Sequence, residues 1–194
     1  MTADWTTELE RDAPDIVGAW RGIEAGRFIS VRREIRRRAG AGSTARALAQ
    51  LEATAAALIA LIETLPEDTF AMPGGEADWT VAEAIGHDAA ARAGLVMAGA
   101  LAASGRWPAD APTVEPSVPG PVGAGRADLV RKVAQSQRII ARSAGQIAGH
   151  ETDPCPLDHP LVGRLRCGEW LLFAGVHDVM HLEQLHGIAE RLGA

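Results

Sequence analysis

The stretch GEWLLFAGVHDVMHLEQLHGIAERL, residues 168–192, decides how the rest of the chain is read. Trp170, Ala174, His177, His181, Gln184 and Ile188 follow one another at steps of three or four, the repeat of one face of an α-helix. A face this long must be buried against other helices. Two histidines one turn apart lie on it, so the helix carries a polar device into a core.

Three further stripes share that period. Leu48, Leu51, Ala55, Leu58, Ile62 and Leu65 form one, starting near Ser43 or Thr44 and stopped by Pro66. Thr80-Val81-Ala82-Glu83 is a capping box, in which the Thr80 hydroxyl and the Glu83 carboxylate each take a backbone N–H of the other. It opens a helix whose inward row is Ala84, His87, Ala91, Leu95 and Ala98. Val130, Val133, Ile140, Ala144 and Ile147 mark a third stripe, ending near Gly149. No alternating strand and no internal repeat stands out. These patterns predict an all-α fold, an up-and-down four-helix bundle with helices at about 44–65, 80–104, 126–149 and 168–191. Residues 105–125 hold five prolines and four glycines, so they must run as a long connection that could wall one side of a pocket.

Length and composition fit one domain: 194 residues, of which 47% are apolar and 23% charged. Residues 43–194 form the bundle domain in this reading, and residues 1–42 a helical, basic N-terminal extension. Residues 13–39 predict one extra helix, with Phe28, Val31 and Ile35 on one side and Arg32, Arg33, Arg36 and Arg37 on another. Gly18, Gly22 and Gly26 weaken its first half by about 1 kcal/mol each. Eight arginines and two glutamates between Arg21 and Arg46 give that segment +6, against −6 for the whole chain. The acidic remainder argues against a nucleic-acid binder, and the arginine run reads as a solvated helix face. The acidic start lacks the pattern of a signal peptide, and no run reaches the roughly 18 apolar residues of a membrane span. A cytoplasmic protein without a membrane partner is expected. Cys155 and Cys167 fit no metal-site spacing and read as reduced and incidental.

The i,i+4 spacing of His177 and His181 brings two imidazoles close enough to chelate one ion. A third ligand must come from another helix, and His87 on an inward row is the natural candidate. Three neutral nitrogen donors suit zinc or nickel and leave a coordination position open, which is the mark of chemistry. Asp88 and Asp178 each follow a candidate ligand and could orient a histidine, although adjacent helical positions point about 100° apart. Gln184, one turn beyond His181, could hydrogen-bond a group at the site. Trp79 and Trp170 stand near it as apolar pocket walls or as core. Glu83 is explained by capping. His150, His159 and His186 lie off the inward rows and read as loop or surface residues.

Together these residues resemble the DinB/YfiT-like family of metal-dependent proteins. The resemblance rests on Trp79-Thr80-Val81-Ala82-Glu83-Ala84-Ile85-Gly86-His87, then His159-Pro160 with Gly163, Glu169-Trp170, and His177-x-x-x-His181-x-x-Gln184. It covers about residues 43–192 and implies one divalent ion, commonly zinc or nickel, held by His87, His177 and His181. Some relatives are S-transferases using thiols such as bacillithiol, and others are hydrolases. The mycothiol-dependent isomerase branch is similar but carries a glutamate where this chain has His177, which directs this chain toward the YfiT-like branch. The expectation is a metal-dependent enzyme whose nucleophile is a metal-bound thiolate or water, acting on a small-molecule thiol and an electrophile, and dimers are common among such relatives. The alternative is a non-catalytic, stress-associated metal-binding bundle, which would keep the histidines but lack a cavity beside them.

Overall fold

The computed structural model describes residues 5–23, 28–75, 78–110, 114–115 and 118–193. Three short helices come first: α1 (Trp5–Asp12), α2 (Pro14–Arg21) and α3 (Phe28–Arg38). Four long ones follow: α4 (Thr44–Thr64), α5 (Val81–Ala103), α6 (Arg126–Ile147) and α7 (Cys167–Leu192). The fold is therefore helical, with the long helices within two residues of the expected spans. The capping box of α5 is present, with Thr80 Oγ1 accepting the Glu83 N–H at 3.2 Å and Glu83 Oε2 accepting the Thr80 N–H at 2.9 Å.

The order in space differs from that of the simplest up-and-down circuit. Both α4 and α5 pack against α6 and α7, so α4 and α5 face each other across the diagonal. Long connections permit this, since short loops would hold consecutive helices side by side. By length and mean hydropathy alone α4 is apolar enough to cross a membrane, although Arg46, Gln50 and Glu52 break its apolar run. A bundle core meets the same test, and Leu51, Leu58 and Ile62 of α4 are fully buried within this one.

A β-hairpin, unforeseen in the sequence, joins α6 to α7. It pairs β1 (Pro154–His159) with β2 (Gly163–Arg166) antiparallel, with His159 opposite Gly163. Cys155, Leu157 and His159 point inward, while Pro154, Pro156 and Asp158 point out. Two prolines conceal this alternation, yet a two-stranded sheet has only edges, where proline is tolerated.

The single extra helix expected over residues 13–39 is instead two helices, and α1 precedes them. Pro14 starts α2 at a position that needs no N–H, and Gly22 ends it. The Phe28 side chain and residues 24–27 lie outside the described residues. Gln50 of α4 accepts the free N–H groups of Asp15 (2.8 Å) and Ile16 (3.1 Å) at the start of α2. Gly175 lets α2 cross α7, because a Cβ there would sit 2.2 Å from Ile16 Cδ1. The arginine run is only partly a solvated face. Arg36 grips the buried Glu169 at 2.8 and 3.2 Å, and Glu169 also accepts the Arg166 N–H at the start of α7. Arg37 and Arg38 pair with Glu34.

Candidate metal centre

The structure brings His87 of α5 together with His177 and His181 of α7. Ring centroids lie 5.4 Å apart for His87 and His177, 5.5 Å for His87 and His181, and 4.6 Å for His177 and His181. One ligand nitrogen from each lies within 4.8 Å of the others.

Each ring is oriented through its Nδ1. The partner of His87 is the Val118 carbonyl at 2.8 Å, that of His177 is Asp88 Oδ1 at 3.0 Å, and that of His181 is Gln184 Oε1 at 2.8 Å. Gln184 Nε2 donates to the Gly74 carbonyl, which fixes which end of its amide faces His181. All three partners are acceptors, so each Nδ1 carries the proton and each neutral ring has its lone pair on Nε2. Such a set is ready to bind a cation, with the outer partners holding the rings in place.

The proline-rich connection contributes through its backbone. Gly120 N–H donates to the Glu83 carbonyl at 2.9 Å, and a Cβ on Gly86 would lie 2.9 Å from Gly120 Cα. Two facing glycines thus let the loop descend onto α5 and place the Val118 carbonyl at His87.

The buried charge supports the same conclusion. Asp88 and Asp178 are fully buried carboxylates, and Arg92 is a fully buried guanidinium committed to Asp178. Asp88 Oδ2 has no hydrogen-bond partner. Burial raises the Asp88 carboxyl, but the His177 hydrogen bond and the neighbouring positive charges outweigh it and hold it below its usual range. Burial pushes His181 the other way, below the ordinary histidine value. An excess negative charge therefore lies directly behind three imidazoles with inward lone pairs, and a divalent cation fits that arrangement.

A cavity of about 310 Å³ opens onto the three histidines. Val31, Leu161, Phe173 and Met180 supply apolar walls, and His159 and Gln184 also border it. This is within the size range of small-molecule sites.

Residues 50–185 match the model of the DinB superfamily. The chain belongs to the DinB superfamily. No curated protein matches it. The matched region of this DinB-superfamily chain contains all three histidines, their Asp88 and Gln184 partners, and the hairpin.

Trp170 and His150 stand where a core and a surface residue are expected, and several other side chains do not. Asp178 points away from the cluster onto Arg92 and Thr54, and the carboxylate that orients His177 is Asp88 on the facing helix. The reason is the roughly 100° between consecutive helical positions, which puts Asp178 on a different face from His177. Trp170 is fully buried behind the cavity, 6.0 Å from the Phe173 ring, and supports that wall. Trp79 lies 5.0 Å from the His87 ring, outside the cavity lining. No described residue of the 105–125 connection lines the cavity either. His159, expected at the surface, is buried and borders the cavity. His186 stacks on Trp5, and His150 is exposed beside Asp153. Burial pushes both cysteine thiols up, Cys167 to about 12, so neither offers a thiolate at neutral pH.

Asp88→Asn keeps an acceptor for His177 but removes the charge, and should weaken divalent-metal binding by about 10–100-fold in competition with a chromophoric chelator. An unchanged affinity would show that the buried charge is not felt at the site.

Burial, with a smaller contribution from His177 and against the pull of Asp158, lowers His159 from 6.5 to about 4. Between those values the unfolded chain takes a proton that the folded chain refuses, so stability falls as pH drops from 6.5 and the loss is complete below 4. The full shift would correspond to about 3 kcal/mol. Solvent reaching the ring through the cavity reduces this, to about 1–2 kcal/mol. Urea midpoints measured from pH 7 to 4 should therefore fall more steeply for the native chain than for His159→Gln, and parallel curves would refute the assignment.

Proposed function

We propose that this chain is a metal-dependent enzyme that activates a small thiol for attack on an electrophile, an S-transferase, with hydrolysis through the same site as the nearer variant. The observation that carries the reading is the cavity itself, because a non-catalytic metal-binding bundle has no need of one beside the histidines. His87, His177 and His181 would hold the ion, zinc or nickel by the chemistry of three imidazole donors. When bound, the ion supplies positive charge that favours the deprotonated form of a thiol or of water at neutral pH.

The chain's own groups do the rest. Neutral imidazoles leave the ion's charge undiminished, while Asp88, Gln184 and the Val118 carbonyl keep the rings from turning. Val31, Leu161, Phe173 and Met180 exclude water and receive the apolar part of an electrophile. A cytoplasmic homodimer belongs to the same proposal through the family resemblance. Light scattering at twice the mass of one chain would support the dimer, and the mass of a single chain at high concentration would remove it.

The test is a panel of low-molecular-weight thiols with 1-chloro-2,4-dinitrobenzene and monochlorobimane, and of aryl esters without thiol, run on zinc-loaded, nickel-loaded and metal-free protein. Thiol transfer that depends on the metal supports the S-transferase, and ester cleavage alone supports the hydrolase. Identical rates in all three states would favour the non-catalytic bundle.

A further inference from the structure

We propose that His159 is a substrate-positioning residue: a neutral imidazole whose Nε2–H donates a hydrogen bond to an uncharged oxygen, of the carbonyl class, on the electrophile occupying the cavity. The inference deepens the proposed function and rests on the cavity being the substrate site.

The tautomer follows from one contact. The Leu161 N–H lies 3.1 Å from His159 Nδ1, and a backbone amide can only donate. Nδ1 is therefore the acceptor, and the proton of the neutral ring is on Nε2. This is the reverse of the three clustered histidines, whose protons are on Nδ1 and whose lone pairs face one another. Four histidines thus border one cavity in two roles, three as acceptors toward a cation and one as a donor.

His159 is 8% exposed and borders the cavity. Among the described residues no protein group accepts from its Nε2–H. The ring borders the cavity, so an acceptor on a bound molecule can take this N–H in place of cavity water. The ring is held for this task. Phe173 meets it edge-on at 5.2 Å and 79°, Trp170 backs it at 6.3 Å, and the pairing of β1 with β2 anchors its backbone opposite Gly163.

The walls choose the kind of acceptor. Val31, Leu161, Phe173 and Met180 are apolar, and the described lining residues include no lysine, arginine or carboxylate. Burial that keeps His159 itself uncharged also penalises a carboxylate or phosphate placed against it. A neutral donor in an apolar pocket suits a ketone, enone or amide oxygen.

The test is ¹⁹F NMR titration of the full-length, metal-free protein with 4-fluoroacetophenone, 4-fluoroethylbenzene and 4-fluorobenzoate. The native chain should bind the ketone up to about tenfold more tightly than the hydrocarbon, as one hydrogen bond sheltered from bulk water by apolar walls allows. His159→Gln, which can still donate, should keep much of that preference, and His159→Leu should lose it. In the native chain the ¹⁵N resonance of His159 Nε2–H should move on adding the ketone, a readout that needs no variant to fold. Equal binding of ketone and hydrocarbon, a preference that survives in His159→Leu, tighter binding of the benzoate, or no binding of any probe would each overturn the proposal. Metal content and metal-dependent thiol transfer measured on the same proteins separate the two readings. Retained metal dependence without a ketone preference removes the role of His159 alone. Metal-independent rates with the preference intact remove the enzyme and leave His159 as a binding residue.

Discussion

Replacing His177 and His181 together by alanine is expected to abolish stoichiometric binding of zinc or nickel while leaving the far-UV helical spectrum unchanged. Two of three ligands are then gone, and a single imidazole is a weak site. The loss should exceed the roughly 10–100-fold expected for removing an outer partner such as the Asp88 charge. The helix survives because its packing lies elsewhere: Trp170, Val176, Val179, Leu182 and Leu185 of α7 are all buried and none of them lines the cavity. His181→Ala is the cleaner single variant, since Gln184 keeps its bond to the Gly74 carbonyl. His177→Ala also takes the donor from Asp88 and should cost about 1–3 kcal/mol of stability in addition. A second readout is thermal: at one hundred times its Kd an ion stabilises the native chain by about 2.7 kcal/mol, and the double variant should show no such gain. Stoichiometric metal retained by the double variant, measured by elemental analysis after dialysis, would place the ion elsewhere.

The three-histidine cluster was legible because helical period and chemistry coincide in it. His177 and His181 occupy one row of α7, and the capping box at Thr80 fixes where α5 begins and hence which way His87 faces. What decides the orientation of the rings was not legible. Asp88 and Asp178 each follow a clustered histidine in sequence and look equivalent, but which carboxylate meets which ring depends on how α5 and α7 are rotated against each other. The Val118 carbonyl depends on a loop path that only the contact between Gly86 and Gly120 explains. His159 did carry a signal, as the third inward member of the alternation Cys155, Leu157, His159, but two prolines interrupt the strand pattern. Arg92 carried one too, since it stands four residues after Asp88 on a stripe where a bundle helix is otherwise apolar.

Arg92→Met is expected to destabilise the chain by about 3–5 kcal/mol, because it leaves Asp178 buried without its counter-charge. For a domain of this size that is a fall of roughly 10–15 °C in Tm, readable by calorimetry on metal-free protein. The guanidinium reaches Asp178 Oδ1 from Nε at 2.9 Å and Oδ2 from Nη2 at 2.9 Å, and donates to Ser136 Oγ at 3.0 Å and the Leu51 carbonyl at 3.0 Å. One side chain of α5 therefore touches α4, α6 and α7. Thr54 Oγ1 donates to the same carboxylate at 2.5 Å. Arg92→Met/Asp178→Leu removes both charges and should recover most of the loss, since a buried pair exchanged for packed apolar groups is often neutral. The double variant also separates the core from the site. The single variant leaves two uncompensated carboxylates, whereas the double variant leaves the one charge of Asp88 already present behind His177. Metal affinity in the double variant should therefore stay within a few-fold of the native value even though a salt bridge is gone. If the double variant were as unstable as the single one, the pair would act through its hydrogen bonds to α4 and α6 and not through charge balance. If it were stable but unable to bind metal, the charge bookkeeping behind the three histidines would be wrong.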